Sequence, residues 1–231
     1  YNADWRRWRE RAQKEAEDTS GFLRIAEQFK SRFGDSELNL LVNKLIPDGR
    51  YEPSDLHNRL VNLPWSDIFT TNWDTLLERS AESNGNRHYS TVLRPDQLST
   101  APAPRIVKLH GTLRLTANLV FSEEDFRRYP VDYAPFVNLV RQAMLEKVVC
   151  LIGFSGSDPN FLNWAGWVRD VLRNHANKVI LCGLLDLSPA QHAYLQNMHV
   201  LPLDLTPLAK DGIGAPHSHS EALKGFLELL D

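Results

Sequence analysis

LPWSDIFTTNWDTLLE, residues 63–78, is where the character of the chain changes. An apolar run with aromatic residues, LPWSDIF, leads into TTNWD at 70–74, and TLLERS then has the composition of a helix start. Before Pro64 the apolar residues recur at helical spacing. They fall at Trp5, Trp8, Ala12 and Ala16, then at Phe22, Ile25, Ala26, Phe29 and Phe33, with Gly34 as a stop. Helices are expected over 4–33, 36–46 and 53–63, the last opened by Pro53, Ser54 and Asp55. After Pro64, short runs rich in Ile, Val and Leu alternate with helical segments. Strands are expected at 67–70, 105–109, 119–121, 148–154, 178–185 and 200–205. Helices are expected at 74–84, 122–129, 133–146, 159–175, 188–197 and 219–230, and RPDQLSTAPAPR at 94–105 as a surface loop. Strands alternating with helices imply a Rossmann-like, doubly wound parallel sheet, an α/β fold with helices on both faces. Residues 1–63 then form an all-helical N-terminal insertion or lid, and residues 64–231 the core.

Composition narrows the function. At 231 residues, 42% hydrophobic and 24% charged, the chain can bury a sizeable core. A net charge of −3 gives no basic field for nucleic acid. The basic WRRWRER near the start has an amphipathic helix as its simplest explanation. The two cysteines, Cys150 and Cys182, each sit in an apolar run with no CxxC pair, which excludes a zinc ribbon and fits reduced thiols in a cytoplasmic chain. No apolar run approaches membrane-spanning length, and no signal peptide is visible, although the chain opens on Tyr1 rather than Met. HSH at 217–219 has the look of a metal ligand pair but reads more simply as a solvated loop before a helix.

Ligands of open parallel sheets bind at the carboxyl ends of the strands. Three expected strand ends carry polar clusters: TTNWD, then His110 and Gly111 after RIVKL, then Gly153, Ser155, Gly156, Ser157 and Asp158 within VVCLIGFSGSDPNF. Each has a bland reading. Asp74 and Asp158 can be helix caps, and a lone His after a strand is often structural. Together they fit a nucleotide. Glycines allow close backbone approach, serines bond phosphate or ribose oxygens, and the following helix offers its positive N-terminus. Asp158 alternatively accepts ribose hydroxyls. Asn72 both donates and accepts, and His110 titrates near neutrality. GFSGS is not a GxSxG nucleophile elbow, and there is neither a GxxxxGK[ST] nor a GxGxxG loop.

The ordered trio LPWSDIFTTNWDTLLE, IVKLHGTL with VFSEEDFRRY, and VCLIGFSGSDPNF resembles the sirtuin-like (silent information regulator superfamily) domains of bacterial anti-phage defence proteins, over roughly residues 56–205. The resemblance implies NAD+ as substrate rather than cofactor, with Asn72 and His110 as the catalytic pair. It places Asp74 on the nicotinamide side, Gly153 and Ser155 on the nucleotide, and Thr71 where sirtuins usually carry Gln. Sirtuin deacylases frame their peptide with a four-cysteine zinc module that this sequence cannot build. The implied activity is therefore NAD+ cleavage without zinc, as a toxic effector of abortive infection. A non-catalytic NAD or ADP-ribose binding module of a defence complex is the alternative, and a zinc-free protein deacylase a third. The resemblance further implies a homo-oligomer, and a regulatory partner or fused module such as an Argonaute, a HerA-type ATPase or a sensor domain, with no direct nucleic acid contact and no membrane. The family's opening strand, with a Gly-Ala-Gly-Ser-type loop, has no counterpart here, so that strand is expected to be missing from this chain as given.

Overall fold

A computed structural model describes residues 19–84, 86–115, 119–154, 158–185, 187–209 and 218–230. The part of the first expected helix before Thr19, and Ser155, Gly156, Ser157 and His217, lie outside the described residues. The lead-in comprises α1 (Thr19–Phe33), α2 (Asp35–Leu45) and α3 (Asp55–Asn62). The remainder alternates: β1 (Asp67–Thr70), α4 (Leu76–Asn84), β2 (Ser90–Val92), β3 (Arg105–Lys108), α5 (Glu123–Asp132), α6 (Ala134–Glu146), β4 (Val149–Ile152), α7 (Pro159–Leu172), β5 (Val179–Gly183), α8 (Pro189–Asn197), β6 (Val200–Asp204) and α9 (Ser218–Leu230).

Among the described residues every strand pairing is parallel, as the alternating pattern requires. The strands form two three-stranded sheets, ordered β1-β3-β2 and β4-β5-β6. Strand side chains alternate between faces. In the second sheet Val149, Leu151, Val179 and Leu181 pack into one core with Phe136, Val140 and Trp164 of α6 and α7. Cys150, Ile152, Ile180 and Cys182 point the other way, against Leu56 and Leu60 of α3 and Phe226 and Leu227 of α9. Helices therefore cover both faces. Val92 and Val107 of the first sheet join the first of these cores, so one apolar cluster spans both sheets. Cys150 and Cys182 are free thiols with sulfurs 3.4 Å apart on neighbouring strands.

The lead-in helices are docked on this core. Gly34 takes φ +90°, a conformation open to glycine, and separates α1 from α2. Phe29, Leu38 and Val42 then pack with Trp73, Leu113 and Leu119. Lys30 bonds Asp125 at 2.6 Å, and Asp125 in turn caps the start of α5.

Two expectations fail. Leu119–Phe121 is not a strand: Leu119 and Val120 are buried in two different clusters, and Val120 N–H donates to the His110 carbonyl at 3.0 Å. The run is apolar because it fills space beneath a loop. Conversely, Ser90–Val92 is a strand paired with β3 that the sequence pattern does not announce. Three residues with only Val92 buried are too few for periodicity to register.

The spanning core sets stability. Phe136 is fully buried in it, whereas Val131 on α5 is 77% exposed. Phe136→Ala is expected to cost about 3–5 kcal/mol and Val131→Ala less than about 0.5 kcal/mol, read from urea unfolding midpoints.

Candidate active site

Asn72 sits on a loop held through several of its neighbours. The Thr70 carbonyl accepts from Leu109 N–H at 2.9 Å, extending the β1–β3 ladder by one bond. The Thr70 hydroxyl accepts from Asn72 N–H at 3.1 Å, and the Trp73 carbonyl from Leu113 N–H at 2.9 Å. Asp74 Oδ1 accepts from Leu76 N–H at 3.1 Å, so Asp74 does cap α4. Thr75 is held through both its N–H and its hydroxyl by the Asp48 carboxylate, at 2.9 and 2.7 Å. The Asn72 side chain is exposed and lines one end of a cavity of about 420 Å³ that runs along β1 and β4 from Ser66 and Val148 to Asn72 and Asp158. Within TTNWD, Asp74 both caps the helix and faces the cavity, and Asn72 faces it without capping.

Thr71, Asp74, Gly153 and Asp158 line the same cavity. Its apolar wall includes Leu109, Phe154, Phe161 and Trp164. Gly153 follows β4 at φ +63°, and a Cβ there would meet nothing within 4 Å among the described residues. Asp158 Oδ1 accepts from Phe161 N–H at 3.0 Å and caps α7, with Pro159 in the first helical turn. Ser155 lies outside the described residues.

His110 is not on the cavity surface. It is 5% exposed, with its ring edge-on to Phe126 and Tyr129 at centroid distances of 5.1 and 5.7 Å. Its Nε2 is buried without a hydrogen-bond partner among the described residues and lies 3.9 Å from Asp158 Oδ2. Burial pushes its pKa down to about 4, against the opposing pull of the Asp158 carboxylate. The imidazole is therefore neutral at physiological pH, one contact behind the wall, beside a carboxylate that does face the cavity.

Sequence reasoning missed two polar residues. His57, on α3, lines the cavity; its Nδ1 accepts from Ser54 N–H at 3.1 Å, leaving the Nε2 nitrogen to carry the proton of the neutral ring. Burial holds its pKa below the usual imidazole value, with Asp74 pulling the other way. Lys108 is 1% exposed on β3. The signal for it was a lysine inside the apolar strand RIVKL. No group of three or more metal-ligating side chains occurs among the described residues, and no helix among them is long and apolar enough to cross a membrane.

With this geometry in hand, similarity to known proteins becomes informative. The NAD(+) hydrolase ThsA of Acinetobacter baumannii (strain 532279) is 30% identical over 127 residues, covering 53% of this chain and 26% of the relative. ThsA of Bacillus cereus (strain MSX-D12) is 28% identical over 125 residues, covering 52% and 26%, and that of Enterococcus faecium 28% over 158 residues, covering 65% and 32%. The matched part thus spans about a quarter to a third of the length of these curated relatives. Residues 66–203 match the SIR2-like domain, a stretch that holds all three strand-end clusters, and the chain belongs to that family.

Proposed function

We propose that the cavity binds NAD+ and hydrolyses its nicotinamide–ribose bond, giving nicotinamide and ADP-ribose. The observation that carries this reading is the convergence of three strand ends on one cavity, with His110 Nε2, which has no hydrogen-bond partner among the described residues, 3.9 Å behind the Asp158 carboxylate. The activity for which the ThsA relatives are named, NAD(+) hydrolase, supports it.

The bond is predisposed to break, because nicotinamide leaves as a neutral molecule from a positively charged ring. Its departure leaves an oxocarbenium-like ribose, as in glycoside cleavage. Asn72 orients the ribose or the attacking water. Asp158, at the cavity wall, relays to His110 the proton that water or a ribose hydroxyl gives up, and its carboxylate stabilises the resulting imidazolium. Thr71, Asp74, Gly153 and Ser155 hold the nucleotide in the same reading. Residues 1–63 act as the lid in this reading, which fits the position of Leu56, His57 and Leu60 in the cavity wall. β1 and β4 are each an outer strand of a sheet, and the cavity runs along both; in this reading the nucleotide takes its carboxyl end, at Asn72, Gly153 and Asp158. The biological role in this reading is depletion of NAD+ in the cytoplasm as an anti-phage effector, held in check by a partner or fused module and working as a homo-oligomer.

One observation favours a second reading, nucleotide binding without cleavage: His110 does not itself line the cavity. Asn72→Ala and His110→Ala separate the two. Each is expected to lower the rate of nicotinamide release from saturating NAD+ by about a hundredfold or more. Combined, they should lose little more, since both act on one transition state. A properly folded His110→Ala protein with the parental rate would remove His110 from the reaction.

His110 also predicts a pH dependence of stability. An unfolded imidazole titrates near 6.5, whereas the folded one binds its proton only near 4. Between those values the unfolded chain holds more protons, so this contribution is complete above the unfolded pKa and is lost as pH falls toward the folded one. The loss should be on the order of 1–3 kcal/mol. His110→Gln is expected to show a shallower decline in melting temperature than the parent from pH 6.5 to 4; equal slopes would contradict the burial argument.

A further inference from the structure

Beneath the TTNWD loop lies a buried ion pair that the chemistry above does not use. Lys108 Nζ is 3.1 Å from Glu78 Oε1, with the two side chains 1% and 9% exposed. The same ammonium donates to the backbone carbonyl of Asp74. Burial raises the Glu78 pKa, and Lys108 lowers it. The neighbouring bonds close the arrangement: Asp48 grips Thr75, and Arg79 donates to the Asp48 and Tyr51 carbonyls at 3.2 and 2.6 Å.

An ion pair is a costly way to fill this space. Removing each charge from water costs several kcal/mol, and apolar residues of similar volume commonly serve stability as well or better. The flanking residues of β3, Val107 and Leu109, are apolar and buried. What an apolar residue cannot do is bond a carbonyl. Lys108 joins a fixed point of the loop, two residues after Asn72, to a fixed point of β3, two residues before His110.

We propose that the Lys108–Glu78 pair is a positioning device for the NAD+ site: it clamps the Asp74 carbonyl to β3 and so fixes Asn72 relative to His110. The proposal rests on the reading of Asn72 and His110 as the reacting pair. Glu78 keeps the ammonium charged and aimed, and Lys108 holds the loop. Neither touches the nucleotide.

The test compares the full-length parent with Lys108→Met, Glu78→Leu and the double variant. Each single change strands one buried charge, so both should melt lower than the parent; the double, with neither charge, should recover most of the loss. A merely structural pair would recover kcat as well. The clamp predicts that the double keeps kcat about tenfold or more below the parent while KM stays within about threefold, because a misplaced group acts on the reaction step. Adding Asn72→Ala to the double should then cost less than it costs the parent. A double variant with parental kcat overturns the proposal. Amide hydrogen exchange without nucleotide supplies a readout independent of cleavage. Leu76 and Leu113, whose N–H groups bond Asp74 and Trp73, should exchange about tenfold faster in the double, with β5 amides unchanged. Unaltered exchange at both overturns the clamp whether or not the protein cleaves NAD+. A parent that releases no nicotinamide would instead remove the enzymatic reading, and exchange alone would then decide for or against the clamp.

Discussion

The parallel register of β1 against β3 is the constraint on which the site depends. Thr70 sits opposite Lys108, and the Thr70 carbonyl takes one further bond from Leu109. Both strands end on the same rim, and the chain beyond each carries its polar residues there. A one-residue slip would turn β3 inside out, placing Lys108 in the core that Val107 fills and Val107 against Glu78. The Arg105–Asp67 pair secures the opposite end of the same register through two bonds of 2.8 and 3.2 Å, with the Asp67 side chain 5% exposed. The ladder is therefore pinned at both ends by charge and between them by apolar packing.

Charge is distributed with consistent logic. Exposed ion pairs such as Arg128–Asp132 decorate helices and contribute little. The buried groups cluster around the loop and the cavity: Lys108 and Glu78 under TTNWD, His110 behind Asp158. Buried charge destabilises unless it is paired, and an imidazole removed from water gives up its proton. The result is a loop tied to β3 beside a neutral imidazole, with the nearest carboxylate serving both as a helix cap and as a cavity wall.

Much of this was legible in the sequence, and the failures have physical causes. Parallel strands buried on both faces read as continuous apolar runs, so VVCLI and VILCG stood out. Ser90–Val92 did not, because it is three residues long, and Leu119–Phe121 imitated a strand because a buried loop segment needs the same composition. Asn72 and His110 were identified from their positions after strands, but burial is a tertiary property. Nothing local revealed that His110 would stand behind Asp158 rather than on the cavity surface. His57 was hidden for a related reason: it belongs to the helical lead-in, and only folding brings that helix to the strand ends.

The central claim is that the cavity breaks the nicotinamide–ribose bond rather than holding NAD+ intact. Its most direct test is a chromatographic time course of NAD+ with the full-length protein, following both products at once. The account predicts nicotinamide and ADP-ribose appearing in equal amounts as NAD+ disappears. NAD+ that binds saturably yet is recovered intact would contradict it and establish the cavity as a binding site alone.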